Sequence, residues 1–479
     1  MNDSRIIIPG EETKKSFAEV IQAIRTNMIT KMQLQKREQL LLVLHAPPLP
    51  LNQGYRQAAY NDIIQLSRLK DLHILICSGK MVYDFHRDSY DLNYKGLIST
   101  PGVKSVSFFE LNVDWEKPLW QRIMHQVSVL IKKQRLIEDS AAIELTHNII
   151  KLCDLYDIKD IHLGITINLF IDTFLNLRKS GNYRISFTAH DIDSDKVLIR
   201  MKENLAERKI IKVITNWLTY WLLLWKEIDA CKKSRFVISM AYHDFERLTK
   251  KNVNAFFIPP YLHTLPANRI TKELTAKPTL LIFGHIAFSA AGSGIEQFME
   301  KVVPAVKEKV PGVIIKIVGK DASPEVISKC EMLGVLYREY IEDPEELWNE
   351  TTVLASPLLV SKGIRIRILE AVCRGIPVVC TEQSATGFSH PEEFLRITND
   401  FNLFAHHCIE LLTDTNKYQL ELERIDKYFI QNLSEDIIRA KWKHVWSEES
   451  SAFSTSRKMK KIISETTRPA YETNLQSSK

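Results

Sequence analysis

The chain has 479 residues, 45% of them apolar and 25% charged, with a formal net charge of +6. Such a composition belongs to a globular chain, and the length exceeds what one hydrophobic core serves, so two domains of roughly 200 residues each are expected. The mild positive balance permits binding to phosphates or an anionic surface without demanding nucleic acid. The seven cysteines show no C-x-x-C spacing, which argues against a disulfide framework and a zinc site.

In chain order, residues 1–38 read as a polar, basic extension with one amphipathic helical run, Phe17 to Met32, and no apolar core of the kind a secretory leader carries. Organised sequence begins at Gln39. QLLLVLHAPPLP is a buried strand pattern broken by prolines, followed by the loop NQGYR, the helical AAYNDIIQLSRL and the strand DLHILIC. Strand patterns return at IKDIHLGITI, YRISFTAHD and RFVISMAYHD. Apolar runs of this length alternating with helical patterns predict parallel α/β units. A first domain over 39–263 is followed by a polar linker, 264–277, and a second α/β series over 278–433. A closing helix over 434–446 and a Ser/Thr/Lys-rich tail, 447–479, complete the chain. The expected class is α/β, with two Rossmann-like domains whose parallel sheets face a common cleft.

Several motifs invite a functional reading. GSGIEQ (292–297) lacks the third glycine of a dinucleotide fingerprint, and no G-x-x-x-x-G-K-[ST] phosphate loop occurs, so nicotinamide and P-loop chemistry are set aside. HDIDSD (190–195) follows a strand. Asp193 and Asp195 read as acids at a helix start in preference to metal ligands. His190 and Asp191 stand at the carboxyl end of a parallel strand, where ligands bind. His406 and His407 lie on a helical pattern and read as solvated surface. No apolar run is long enough to span a membrane; the longest, Trp217 to Trp225, stops at Lys226. Trp217, Trp221 and Trp225 share one helical face, ordinarily a core stripe. Lys196, Arg200, Lys202, Arg208, Lys209 and Lys212 ahead of it favour a helix lying on a membrane surface.

SKGIRIRILEAVCRGIPVVC (361–380) is the strongest signal. In a parallel domain this helix start lies at the ligand edge, where free N–H groups and the helix dipole attract an anion. Gly363 permits close backbone approach. Arg365 and Arg367 supply fork-shaped donors for a diphosphate. Glu370, one turn in, can accept from a diol such as a ribose. The alternative is a surface salt bridge between Glu370 and an arginine.

GIRIRILEA, then GIPVV, Thr381 and ATGF, resembles the donor-site signature of GT-B glycosyltransferases of family four, the glycosyl transferases group one set. It is most similar to the branch reading Gly-Thr-Arg-x-Lys-Ile-Leu-Glu-Ala. The resemblance extends through TLLIFGHIAF, PAVKEKVP, IKIVG and YIEDPEEL, and more weakly through APPLPLNQGYR, TAHD and WKEIDACKKSRFVISMAYHDFERL, over about residues 39–446. It implies a retaining, metal-independent transferase that uses a nucleotide-sugar as substrate and needs no cofactor. The implied acceptor is a glycan or lipid-linked molecule of cell-surface polysaccharide, lipopolysaccharide or glycolipid synthesis, handled in the cytoplasm or at the inner membrane face. Gly54, Tyr55, Arg56, Gly284, His285, Tyr340, Lys362, Gly363, Arg365, Glu370, Thr386, Gly387 and Phe388 would bind the donor. His190 and Asp191 would face the transferred sugar, with Arg365 and Arg367 at the diphosphate. Lys362 stands where the family often has a first glutamate, His285 where it has an arginine, and Ile364 and Arg367 where the branch has threonine and lysine. These departures leave a catalytically impaired scaffold or glycan-binding partner as the alternative.

Overall fold

The first strand, β1 (Gln39–Leu44), is apolar almost throughout because both of its faces are covered, as parallel sheets require. Leu41 and Val43 enter one core with Phe170, Phe174 and Phe187, while Leu40, Leu42 and Leu44 enter the opposite one with Ile63, Leu66 and Phe236. This is the period-two alternation of a strand seen from both sides. The structure is a computed structural model. It describes residues 37–447 apart from 52, 80–89, 112–139, 166–167, 190–191, 207, 264–273, 275–276, 285–293, 321, 342–343 and 361–362. The helical run Phe17 to Met32, nearly all of the linker and the tail therefore lie outside the described residues.

Seven parallel strands form the first sheet in the order β3-β2-β1-β4-β5-β6-β7. They are β1, β2 (Asp71–Gly79), β3 (Val103–Leu111), β4 (Asp160–Leu163), β5 (Arg184–Ala189), β6 (Val237–Ser239) and β7 (Ala255–Phe257). Six more form the second, ordered β10-β9-β8-β11-β12-β13. These are β8 (Thr279–Phe283), β9 (Ile314–Val318), β10 (Leu336–Arg338), β11 (Val353–Ser356), β12 (Val378–Cys380) and β13 (Arg396–Ile397), again parallel throughout. The order reverses between β1 and β4 in one sheet and between β8 and β11 in the other. A parallel sheet opens a crevice at such a switch point, beyond the strands' carboxyl ends. The second domain repeats the two-faced core, with Leu280 and Ile282 on one side of β8 and Leu281 on the other.

Two helices tie the domains into one body. Helix α1 (Gly54–Leu69) follows β1, and the last helix, α6 (Glu435–Trp446), returns from the second domain to pack on the first. Ile438, Trp442, Val445 and Trp446 of α6 sit in the same core as Leu42 and Ile63. The two tryptophan rings meet His162 of β4 edge-on, at 6.3 and 5.8 Å. His162 Nδ1 lies 2.8 Å from Ser186 Oγ and its Nε2 lies 2.7 Å from Thr188 Oγ1. The Thr188 hydroxyl donates at 3.0 Å to Oδ2 of Asp62 on α1, so a buried polar chain runs beneath the returning helix.

Asp62 is fully buried, and that burial pushes its carboxyl up to about 8 against hydrogen bonds from Thr188 and Asn61 that pull it down. The sign of the linkage follows. Below pH 3.8 the carboxyl is protonated in both states; above it the unfolded chain releases the proton while the folded chain keeps it until about 8, so folding loses stability across that window. Urea midpoints of the unaltered protein should therefore fall between about pH 5 and pH 8. The Asp62→Asn variant should show a flatter profile over the same range.

Candidate active site

The carboxyl ends of both sheets converge on one cleft of ≈ 800 Å³. His45, Leu51, Gln53, Gly54, Tyr55 and Gln57 enter it from the loop after β1 and the start of α1. Gly284 follows β8, Lys320 follows β9, Tyr340 follows β10 and Pro357 follows β11. The floor is the start of α5 (Ile366–Cys373), which presents Arg365, Arg367 and Glu370. Gly363, at φ 71, takes the left-handed turn that launches this helix, a conformation glycine adopts without strain.

Glu370 is 3% exposed, and both of its oxygens are engaged. Arg367 donates to Oε2 at 2.6 Å from one turn earlier on α5, and Gln57 Nε2 donates to Oε1 at 3.0 Å from α1 of the other domain. Glu370 does pair with an arginine, but inside the cleft and not on the surface. The Arg367 guanidinium also lies 4.0 Å above the Phe283 ring, a cation–π contact that fixes its plane. Arg374, 6% exposed at the other end of α5, pairs with Glu345 and stacks on Trp348 at 5.4 Å, lining the cleft from below. At the rim, Lys320 Nζ is 5.6 Å from the centre of the exposed Tyr340 ring. Tyr55 donates its hydroxyl to Ala46 O at 3.2 Å and packs on His45 at 4.1 Å. Its burial raises the phenol well above the usual range. A buried carboxylate, cations and aromatic walls suit a ligand carrying an anion, a diol and a flat ring.

Of the residues singled out in the sequence, Gly54, Tyr55, Gly284, Tyr340, Arg365, Arg367 and Glu370 line this cleft together. Arg56 points elsewhere: it is buried and donates to Pro50 O at 3.2 Å, bracing the loop after β1. Thr386, Gly387 and Phe388 are not among the lining residues. Thr386 O accepts from His243 Nδ1 at 3.0 Å and Gly387 O from Tyr242 N at 2.9 Å, both at the start of α4 (Tyr242–Lys250) in the first domain. Phe388 packs in the second core, its amide closing a turn onto Ala385 O. This loop is therefore a strap between domains. His190, Asp191, His285 and Lys362 lie outside the described residues. Gln57, Phe283, Lys320, Trp348 and Arg374 were not singled out. Arg374 alone had a legible signal, in the CRGIP turn that ends α5.

Two parallel Rossmann-like sheets facing one cleft, closed by a C-terminal helix that crosses back to the first domain, are the GT-B fold. Residues 277–414 match the family model described as glycosyl transferases group 1. Among solved structures, the chain resembles sucrose-phosphate synthase from Thermosynechococcus elongatus, with a TM-score of 0.58 at 15% identity over 86% of this chain and 98% of that one. A glycosyltransferase from Rickettsia africae aligns at TM-score 0.54 and 14% identity, covering 88% of this chain and 100% of its own. Anabaena HepE in complex with UDP and glucose aligns at 0.53 and 12%, covering 86% and 100%. At these identities the likeness is one of fold. No curated protein sequence gives a significant match.

The strap makes a prediction. A Cβ added at Gly387 would stand 2.5 Å from the Ile364 Cα and 2.9 Å from the Gly363 O, backbone that cannot rotate away. Gly387→Ala should cost about 1–3 kcal/mol of stability by overpacking. It should also displace the loop ahead of α5, seen as a lowered Tm together with weakened ligand binding.

Proposed function

We propose that the protein is a retaining glycosyltransferase moving a sugar from a nucleotide-sugar to a glycan or lipid-linked acceptor at a membrane surface. The observation that carries this reading is the cluster of Glu370, Arg365 and Arg367 at the start of α5, facing the cleft inside the segment that matches the group 1 model. Glu370 retains lone pairs beyond the two its partners use, and accepts from the ribose hydroxyls. Arg365, Arg367 and the free amides of the first turn of α5 oppose the diphosphate, with Lys320 at the rim. As the sugar C1–O bond breaks, negative charge grows on the leaving phosphate, and these fixed donors stabilise it more in the transition state than before. The acceptor hydroxyl forms the new C1–O bond on the face the phosphate leaves, and its proton passes to the departing phosphate oxygen. In this reading side-chain cations neutralise the diphosphate. Helix α2 (Asp193–Ala206) begins within HDIDSD, in keeping with the reading of Asp193 and Asp195 as acids at a helix start.

Glu370→Ala or Arg365→Ala should lower transfer from labelled nucleotide-sugars by about 100-fold or more, with circular dichroism unchanged. Full activity in both variants would sink the site assignment. One observation favours a non-catalytic scaffold instead: both Glu370 oxygens already have protein partners. Titration with a panel of nucleoside diphosphates decides, because a scaffold binds none of them.

The membrane contact rests on α3 (Ile210–Lys233). Trp217, Trp221 and Trp225 are 54%, 51% and 59% exposed, in line with the exposed Ile210 and Ile214. Arg208 and Lys209 precede this stripe, Lys232 stands two turns beyond Trp225 on the same face, and residues 210–226 include no acid. Exposed tryptophans between cations suit an anionic bilayer surface. Changing all three tryptophans to Ser should lower sedimentation with anionic vesicles by about tenfold. Unchanged binding removes the bilayer reading, and loss of self-association without loss of vesicle binding assigns the face to a second copy. Among the described residues no helix is long and apolar enough to cross a membrane.

A further inference from the structure

Gln57 is the residue through which the first domain reaches the carboxylate of the second. It is 4% exposed and sits in the first turn of α1, lining the cleft beside Gly54 and Tyr55. Its amide orientation is determined by its neighbours. Nε2 faces Leu51 O at 3.2 Å and Glu370 Oε1 at 3.0 Å, both acceptors, so the NH₂ end must point there. The carbonyl end, Oε1, is buried with no donor among the described residues. A buried acceptor without a donor is unfavourable, and on a residue that lines the cleft a ligand hydroxyl can supply the missing donor.

The pairing also demands domain contact. A Cβ on Gly54 would lie 2.8 Å from Ile366 Cγ1, so the starts of α1 and α5 touch about one helical turn away from the Gln57–Glu370 hydrogen bond. If the domains separated, Oε1 of Gln57 and Oε1 of Glu370 would part. Held together by the Gln57 Nε2 hydrogen bond, the two side chains bring one acceptor from each domain to the cleft.

We propose that Gln57 Oε1 and the Glu370 carboxylate together bind the two hydroxyls of a vicinal diol, the ribose of the nucleotide donor, so that diol binding requires closure of the cleft. The assignment rests on the glycosyltransferase reading for the identity of the ligand. Each ribose hydroxyl donates to one acceptor. The NH₂ of Gln57 keeps Glu370 in place while its carbonyl is satisfied by the ligand. Gln57 is therefore both a binding residue and the element that couples donor binding to the approach of α1 and α5.

The test compares the full chain with Gln57→Leu, which keeps side-chain volume, and with Gln57→Ala, using calorimetric titration of UDP, GDP and ADP and of their 2′,3′-dideoxy counterparts. The unaltered protein should prefer the ribose form of its nucleotide. In both variants that preference should shrink by about tenfold, the worth of one hydrogen bond, while the dideoxy form still binds; Tm falls because Glu370 Oε1 loses a donor, but a single cooperative transition remains. A preference left intact in a folded Gln57→Leu overturns the proposal and leaves the transferase reading standing. Nucleotides that bind the unaltered chain without distinguishing ribose from dideoxyribose also overturn it. If none of the nucleotides binds, the donor reading and this assignment fall together.

Discussion

A carboxylate taken out of water must be met by donors, and Glu370 meets its donors from two domains at once. Arg367 reaches it along α5 and Gln57 reaches it from α1. That single requirement brings the starts of two helices into contact and leaves room for no side chain at Gly54. The walls of the cleft follow from it. The loop after β1 is braced by Arg56 and Gln57 through Pro50 O and Leu51 O, and Phe283 holds the plane of the Arg367 guanidinium. The ligand space is what remains between two parallel sheets whose switch points face one another.

The same coupling is backed at two further places. The strap at Thr386 and Gly387 bonds to His243 and Tyr242 of the first domain, and α6 carries Trp442 and Trp446 into that domain's core. The polar chain from Asp62 through Thr188 to His162 runs from α1 to the ring contacts of α6.

Much of this was legible in the residues. Uninterrupted apolar strands between amphipathic helices specify buried parallel sheets, because only a strand covered on both faces tolerates that pattern. GIRIRILEA announced its helix, its close-approach glycine and its charges. NQGYRQ is less legible: Arg56 and Gln57 are adjacent, and α1 is buried on several sides, so hydrophobic periodicity does not tell which one faces the cleft. The helix turns about 100° per residue; the charged side chain went to a loop carbonyl and the neutral amide to the carboxylate. ATGF read as phosphate-facing backbone; what the fold adds is that its carbonyls bond to the first domain and that Gly387 fits against the backbone of 363–364. The tryptophans of α3 share a face by spacing alone, but spacing cannot say whether that face meets protein or solvent; the fold leaves it outside.

Short-range chemistry, then, was readable from the chain: which runs become strands, where helices start, and which side chains can oppose an anion. Pairings across the chain were not. Gln57 and Glu370 are 313 positions apart, and nothing local to either specifies the other. Their meeting depends on how the two sheets are set against each other by α6 and the strap. A hydrogen bond needs its partners within a few tenths of an ångström, and only packing of the whole molecule sets distances that finely.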